Sequence, residues 1–388
     1  MFRVGDKELA QIDKVLKTGR VFRYGGGQCD RFEARYSKYL NVKHVMMTAS
    51  GTNSITAGLI GLQIGPGDEV IVPACTYMAT AVAVLSVGAI PIIVDVDDTI
   101  TIDPDAVEAA IGPQTRAVIP VHMWGLPCDM KKIMRIARKY KLSVVEDACQ
   151  AVGGGYEGKM LGSIGHVGAF SFNFFKNMTC GEGGAVATNS KKAFHRIRCA
   201  IDCCGYYWKG RESWGEHFIS NGARASEIEG AMMNAQMDRI KSMVNNLRRQ
   251  KKRVLKETAN TGLKPIRANS LDWEVGSNVM YTFDTKEQTN QFAQIMGCGI
   301  TRNTGRHVYT DWDPIFKLKG AHHEALDPFK LKENRKCRKK YTMDMCARSL
   351  DILSRTASIG LHPDNDRAKI SSLIKRIKAA AKEVGVAV

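Results

Sequence analysis

An α/β fold built on a largely parallel sheet is the architecture the sequence predicts, and three observations predict it. Short runs such as Val70-Ile71-Val72, Ile92-Ile93-Val94 and Val144-Val145 are apolar without polar alternation. Strands of that kind are buried on both faces, the condition of a parallel sheet packed between helices. Between them lie stretches with apolar residues at helical spacing. The chain of 388 residues also exceeds what one hydrophobic core usually supports, so a second, smaller α+β domain is expected.

The first helical stretch covers residues 6–16, with Leu9, Ile12, Val15 and Leu16 on one face and Gly19 as its stop. A second, residues 31–40, leads into a strand at 45–48. Ser50-Gly51-Thr52-Asn53 then opens a helix reaching Leu62. The turn Pro66-Gly67-Asp68 feeds a strand at 69–72, followed by a helix at 79–86 and a strand at 91–95. Helices at 104–111 and 130–140 alternate with strands at 117–121 and 142–147. From 167 to 189 the pattern shortens into strands and Gly-rich turns, and one long helix is expected over 226–258. Strands are then less regular, as at 279–283. Residues 304–329 read as loop, and a basic helix over 370–384 follows. A boundary near 245–260 divides a large domain, residues 1–250, from a small C-terminal domain, residues 251–388.

The net charge of +17 suits an anionic ligand, nucleic acid or membrane surface, but is also what solvated helix faces produce. No helix-turn-helix, zinc-finger or RNA-binding signature accompanies it. Neither a secretory leader nor an apolar run of membrane-spanning length is read, and the cysteine count of 11 is odd. Reduced thiols in a cytoplasmic protein are therefore expected. Cys199, Cys203 and Cys204, with His217 apart from them, match no zinc spacing, so no metal is expected.

In open α/β sheets ligands collect at the carboxyl ends of the strands, and four features fall there. Ser50-Gly51-Thr52 offers hydroxyls and a helix start suited to phosphate, although Ser and Thr are also ordinary caps. Asp147 ends an apolar strand, with Gln150 beyond it; it is either a helix cap or the partner of a buried cation. Lys176 follows Phe170-Ser171-Phe172-Asn173-Phe174-Phe175 and precedes Cys180-Gly181-Glu182-Gly183-Gly184. A lysine beside such a run is expected to be partly desolvated, which favours the nucleophilic amine; a surface lysine is the plainer reading. Tyr77, after Pro73-Ala74-Cys75-Thr76, could lie against a ring or fill core. Together the four meet the needs of pyridoxal 5′-phosphate (PLP): a lysine for its aldehyde, an acid for its pyridine nitrogen, a phosphate cup and an aromatic cover.

With those residues in place the chain resembles the DegT/DnrJ/EryC1/StrS family of PLP-dependent sugar aminotransferases. The likeness is carried by Ser50-Gly51-Thr52, residues 65–73, Gly88-Ala89-Ile90-Pro91, Val121-His122, residues 146–151, Ser171-Phe172 and residues 176–184. It implies PLP-dependent transferase fold type I, the aspartate-aminotransferase-like fold. It also implies that Lys176 binds the cofactor covalently and shuttles the proton, and that Asp147 pairs with the pyridine nitrogen. Gln150 would reach the ring's 3′-oxygen side and Tyr77 would stack on the ring, while Gly51, Thr52 and Ser171 hold the phosphate beside Ser50. Members are usually homodimers with shared sites, to which an Asn-x-Arg motif contributes from the partner. Here Gly222 stands where that asparagine is expected before Arg224, and Asn221 lies one residue early.

The implied reaction moves an amino group from L-glutamate to an acidic or phosphorylated keto or aldehyde sugar by ping-pong half-reactions. His122, Arg224, His307 and Tyr309 are the substrate candidates, and residues 306–323 are expected at the mouth. Cys149-Gln150, Thr179-Cys180-Gly181-Glu182 and the region of Trp312 resemble the family branch that aminates 8-oxo-3,8-dideoxy-octulosonate, a lipopolysaccharide sugar, and the resemblance implies that acceptor. A nucleotide-linked 3- or 4-keto-6-deoxy sugar is the other. Lys176 stands where the family's dehydratase branch has histidine. A cyclitol or other non-sugar ketone, a catalytically silent partner subunit, and a basic DNA-binding regulator retaining the fold are the competing readings.

Overall fold

The computed structural model describes residues 4–210 and 217–386, so residues 1–3 of the N-terminal reading lie outside the described residues. In chain order come α1 (Asp6–Thr18), α2 (Gln28–Leu40), β1 (His44–Thr48), α3 (Gly51–Gly61), β2 (Glu69–Pro73), α4 (Ala79–Ser86) and β3 (Ile90–Val94). Next are α5 (Pro104–Ala109), β4 (Thr115–Val118), α6 (Met130–Tyr140) and β5 (Ser143–Asp147). A short hairpin, β6 (Gly155–Tyr156) and β7 (Lys159–Met160), precedes β8 (Val167–Ser171), β9 (Gly184–Thr188), α7 (Lys191–Ile201) and α8 (Tyr206–Lys209).

Starts and stops have local causes. Ser50, Asp129 and Ser190 cap α3, α6 and α7 through side-chain oxygens. Gly19 ends α1 with a left-handed backbone, φ 68°. Helix α2 begins at Gln28, earlier than its own sequence predicts, because a distant carboxylate caps it. Glu227 accepts from the Gln28 N–H at 2.5 Å and from the Cys29 N–H at 3.1 Å.

The large sheet has seven strands in the order β1-β9-β8-β5-β4-β2-β3. Strand β9 runs antiparallel to both neighbours, and every other pairing is parallel. All residues of β2, β3, β8 and β9 are buried. Since successive side chains point to opposite faces, both faces of these strands are covered.

The helix expected over 226–258 is two helices, α9 (Glu227–Met237) and α10 (Ile240–Thr258). Between them Asp238 and Arg239 form a turn, with Arg239 at φ −107°. Its guanidinium pairs with the buried Glu8 of α1, to which Gln236 also donates at 3.0 Å. Neither Gly nor Pro marks this break, so a local reading passes over it. Beyond lie β10 (Lys264–Pro265), β11 (Asn278–Thr282), α11 (Lys286–Met296), β12 (Gly299–Ile300), α12 (Asp313–Phe316), α13 (Ala347–Ser354), β13 (Thr356–Gly360) and α14 (Arg367–Glu383). The four strands form an antiparallel sheet, β10-β11-β13-β12. Among the described residues no helix is long and apolar enough to cross a membrane.

Two returning segments tie this part to the large sheet. Val308 bridges Cys75, the Tyr309 N–H donates to the Ala74 carbonyl at 3.0 Å, and the Thr76 N–H donates to the His307 carbonyl at 2.9 Å. Further on, the buried Glu69 at the start of β2 accepts from the Arg338 N–H at 2.7 Å and from its Nε at 3.1 Å. Truncating one partner of such a pair strands a buried charge. Arg338→Ala is expected to lower stability by about 3 kcal/mol, read from the midpoint of urea unfolding, and adding Glu69→Gln recovers part of it. Equal midpoints for wild type and R338A would show that the bridge stabilises nothing.

Candidate active site

The carboxyl ends of β1, β2, β5 and β8 open into one cavity of about 480 Å³. Of the expected residues, Ser50, Gly51, Thr52, Tyr77, Asp147, Gln150, Ser171, Lys176 and His307 line it.

At the end of β1 the chain turns at Ser50 and enters α3. First-turn N–H groups have no partner within their helix, so those of Gly51 and Thr52 are available to an anion. Ser171, from the end of β8, sits directly against Gly51: a Cβ there would lie 2.7 Å from Ser171 Cβ and 3.1 Å from its Oγ. Glycine therefore lets the two strand ends close into a cup. The Ser50 hydroxyl is already used, accepting from the Asn53 N–H at 3.1 Å and donating to Asn53 Oδ1 at 2.8 Å. Its part is to hold the helix start rather than to offer a free hydroxyl.

Asp147 is buried, and no helix begins there, so the cap reading falls away. One carboxylate oxygen accepts from the Cys149 N–H at 3.1 Å and the other from the Thr80 hydroxyl at 2.8 Å. Thr80 in turn is 2.8 Å from the Thr76 hydroxyl. Because the carboxylate only accepts, Thr80 donates to it and accepts from Thr76. Gln150 accepts the Trp124 N–H at 3.3 Å through Oε1, which leaves its amide NH₂ as donor.

Lys176 lies in the loop that reverses the chain between β8 and β9, its N–H bonded to the Asn173 carbonyl at 2.9 Å. The aromatic run before it divides. Phe170 and Phe172 are fully buried, whereas Phe174 and Phe175 are exposed, so the expected desolvation does not come from the adjacent aromatics. Tyr77 is 45% exposed, which rules out the core-filling role.

His307 reaches the cavity from the far part of the chain. Burial, reinforced by the neighbouring Arg306 and Lys176 cations, pushes its imidazole down to about 4. Its Nδ1 is buried without a partner among the described residues.

Four expected residues stand elsewhere. His122 is fully buried: its Nδ1 accepts from the Cys128 N–H at 3.1 Å and its Nε2 faces Glu146 at 3.1 Å. Tyr309 is fully buried too, donating its hydroxyl to the Met343 carbonyl at 2.7 Å and accepting the Cys346 N–H at 3.2 Å. Both side chains are spent inside the fold, which corrects their assignment to substrate. Asn221 and Arg224 are exposed and outside this cavity, Arg224 paired with Asp202 at 3.1 Å. Of the expected mouth residues, His322 and His323 are exposed and do not line the cavity, and Trp312 is fully buried.

Sequence reasoning missed Thr80 and Trp124. Thr80 stands in the first turn of a correctly read helix, so its spacing from Tyr77 was available as a signal. Trp124 gave none: its backbone is left-handed, φ 52°, and its carbonyl accepts from the Ser277 hydroxyl at 3.1 Å. Arg306, expected as part of the mouth segment 306–323 and given no role of its own, does line the cavity.

The cup, acid, amine and aromatic face fit PLP. Among known proteins, the chain is 37% identical over 235 residues to dTDP-3-amino-3,4,6-trideoxy-alpha-D-glucose transaminase of Streptomyces venezuelae, covering 60% of each. It is 39% identical over 214 residues to GDP-perosamine synthase of Caulobacter vibrioides, covering 54% of this chain and 56% of that one. The matches thus span less than two thirds of these relatives. The solved structure of 3-amino-5-hydroxybenzoic acid synthase superposes with a TM-score of 0.80 at 25% identity, covering 98% of this chain and 97% of that one. The fold is that of the PLP-dependent transferases of fold type I. A model of the DegT/DnrJ/EryC1/StrS aminotransferase family matches residues 3–378, and the chain belongs to that family.

Proposed function

We propose that this protein is a PLP-dependent aminotransferase that moves an amino group from L-glutamate to a keto or aldehyde sugar. The observation that carries this reading is the meeting of Lys176, Asp147 and the α3 N-terminus around one cavity. Bound there, PLP supplies an aldehyde that captures amines and a ring that accepts an electron pair.

The chain's own residues divide the work. The Gly51 and Thr52 N–H groups and Ser171 hold the phosphate. Asp147, fixed by Thr80 and the Cys149 N–H, keeps a proton on the pyridine nitrogen. Tyr77 covers one ring face, and the Gln150 amide donates toward the 3′-oxygen. Lys176 Nζ would hold the cofactor and, as a free amine, would carry the proton to and from the donor's α-carbon. The acceptor then receives the amine by the reverse sequence, giving ping-pong kinetics.

Within that class we favour 8-oxo-3,8-dideoxy-octulosonate as acceptor, because Cys149 and Glu182 of the segments that carry this likeness line the cavity. A nucleotide-linked keto sugar is the second reading, favoured by the names of the two sugar-modifying relatives. The working form is a cytoplasmic homodimer in which Asn221 and Arg224 reach the second copy's site. Exposed Phe22 and Trp208, whose ring centroids are 5.2 Å apart, support this, since the Arg224 guanidinium lies 5.4 Å from the Phe22 ring. The division into residues 1–250 and 251–388 is likewise proposed.

Wild type with PLP is expected to show a visible absorption band that falls when L-glutamate is added. Lys176→Ala should lower turnover by about a thousand-fold or more while near-ultraviolet circular dichroism of the apoprotein stays unchanged; full activity in that variant would sink the mechanism. Thr80→Val keeps the shape but removes a donor to a buried carboxylate. Cofactor retention on dialysis should weaken about ten-fold, and unchanged retention would show that Asp147 needs no such support. Because the folded state holds the His307 ring neutral, its histidine NMR signal should titrate near pH 4 rather than 6.5, with His307→Gln giving the assignment. Titration near 6.5 would contradict the burial of that ring.

A further inference from the structure

Two carboxylates on the donor, and any acid group on the acceptor, must meet positive charge somewhere in this cavity. Among its described lining residues only Lys176 and Arg306 carry a full positive charge. Lys176 is committed to the reacting amine, so one guanidinium remains from the chain that builds the cavity. Arg306 has no carboxylate within ion-pair distance among the described residues. Other arginines nearby in the chain or the fold do: Arg302 faces Asp311 at 3.6 Å and Arg224 faces Asp202 at 3.1 Å.

Arg306 is also held in place. Its carbonyl accepts from the Met78 N–H at 3.3 Å and from Trp312 Nε1 at 3.3 Å. Its guanidinium lies 5.7 Å from the Tyr77 ring and 5.9 Å from the Phe175 ring. Those rings fix the guanidinium beside the residue taken as the cofactor's cover and the residue preceding Lys176. A planar fork so placed can grip a carboxylate in two-point fashion. We infer that Arg306 is the substrate-binding residue that recognises a carboxylate at the cavity mouth.

This rests on the aminotransferase reading, and the test separates the two. Glutarate, a dicarboxylate with no amine to transfer, is titrated calorimetrically into the PLP-loaded protein. Arg306→Gln is expected to weaken its binding by roughly ten- to hundred-fold, with Arg306→Lys recovering part and the cofactor's absorption unchanged. Single-turnover absorbance then identifies the carboxylate's source. Slower bleaching of R306Q by L-glutamate assigns it to the donor. Slower colour return with 8-oxo-3,8-dideoxy-octulosonate, but not with a dTDP-linked 3-keto-6-deoxy sugar, assigns it to the acceptor, and slowing of both steps assigns it to both. Wild-type levels in the titration and in both steps would overturn the inference, as would wild-type protein that binds no glutarate. If wild type fails to bleach with glutamate, the aminotransferase reading falls, while the titration still reports on Arg306.

Discussion

The site depends on one constraint, the insertion of an antiparallel strand between β1 and β8. Gly184 opens β9 opposite Thr48 on one side and opposite Ser171 on the other. A Cβ at that point would lie 2.5 Å from Ser54 Oγ and 2.6 Å from both the Ser50 and Phe170 carbonyl oxygens. Only glycine lets the three strands come this close, and their closeness brings the α3 start and Ser171 into one cup. Because β9 runs backwards, the loop before it begins and ends on the same rim. Lys176 is therefore delivered to the carboxyl edge of the sheet by a chain reversal, without a helix of its own.

A buried carboxylate at a strand end is costly unless its oxygens are satisfied. Two adjacent residues of β5 solve this in opposite directions, since successive strand side chains point to opposite faces. Glu146 turns away from the cavity and accepts N–H bonds from Gly162 at 2.9 Å, Ile164 at 2.6 Å and Gly165 at 2.5 Å, with His122 beside it. Asp147 turns in and takes Thr80 and its own Asx turn. His122 thus belongs to the structural face of the strand end, although its neighbour Val121 lines the cavity. The His122 N–H donates to the Asp147 carbonyl at 3.0 Å, and the Asp147 N–H donates to the Pro120 carbonyl at 2.9 Å. The backbone of the acid is thereby pinned from the side that does no chemistry.

How much of this was legible follows from how far each signal travels along the chain. The helices at 79–86 and 130–140 were readable to the residue, because their patterns and ends are local. The places of Ser50-Gly51-Thr52 and Asp147 at strand ends, and of Lys176 in the loop after one, were readable because an apolar run announces each strand. His122, beside a strand end, and Tyr309, in a stretch that reads as loop, were misread because a polar residue there looks the same whether it faces the cavity or the core. The start of α2 and the break at Arg239 were hidden for a related reason. Each is decided by a carboxylate from a remote element, Glu227 and Glu8 respectively, and no local spacing records such a partner.

The same distinction separates the parts of the site by task. The residues proposed to hold the cofactor and move the proton lie between Ser50 and Lys176, on elements whose order in the sheet fixes their meeting. Arg306 and His307 arrive from beyond α11, and their place depends on the Val308–Cys75 bridge and the backbone bonds around it. Trp312 fills the space behind that bridge and bonds the Arg306 carbonyl. A tryptophan with no surface of its own can therefore set where a guanidinium stands. The proposed chemistry thus rests on the sheet, and the proposed recognition on a returning segment. On the proposed reading, side chains of that segment face the substrate while the strand ends position Lys176 and Asp147.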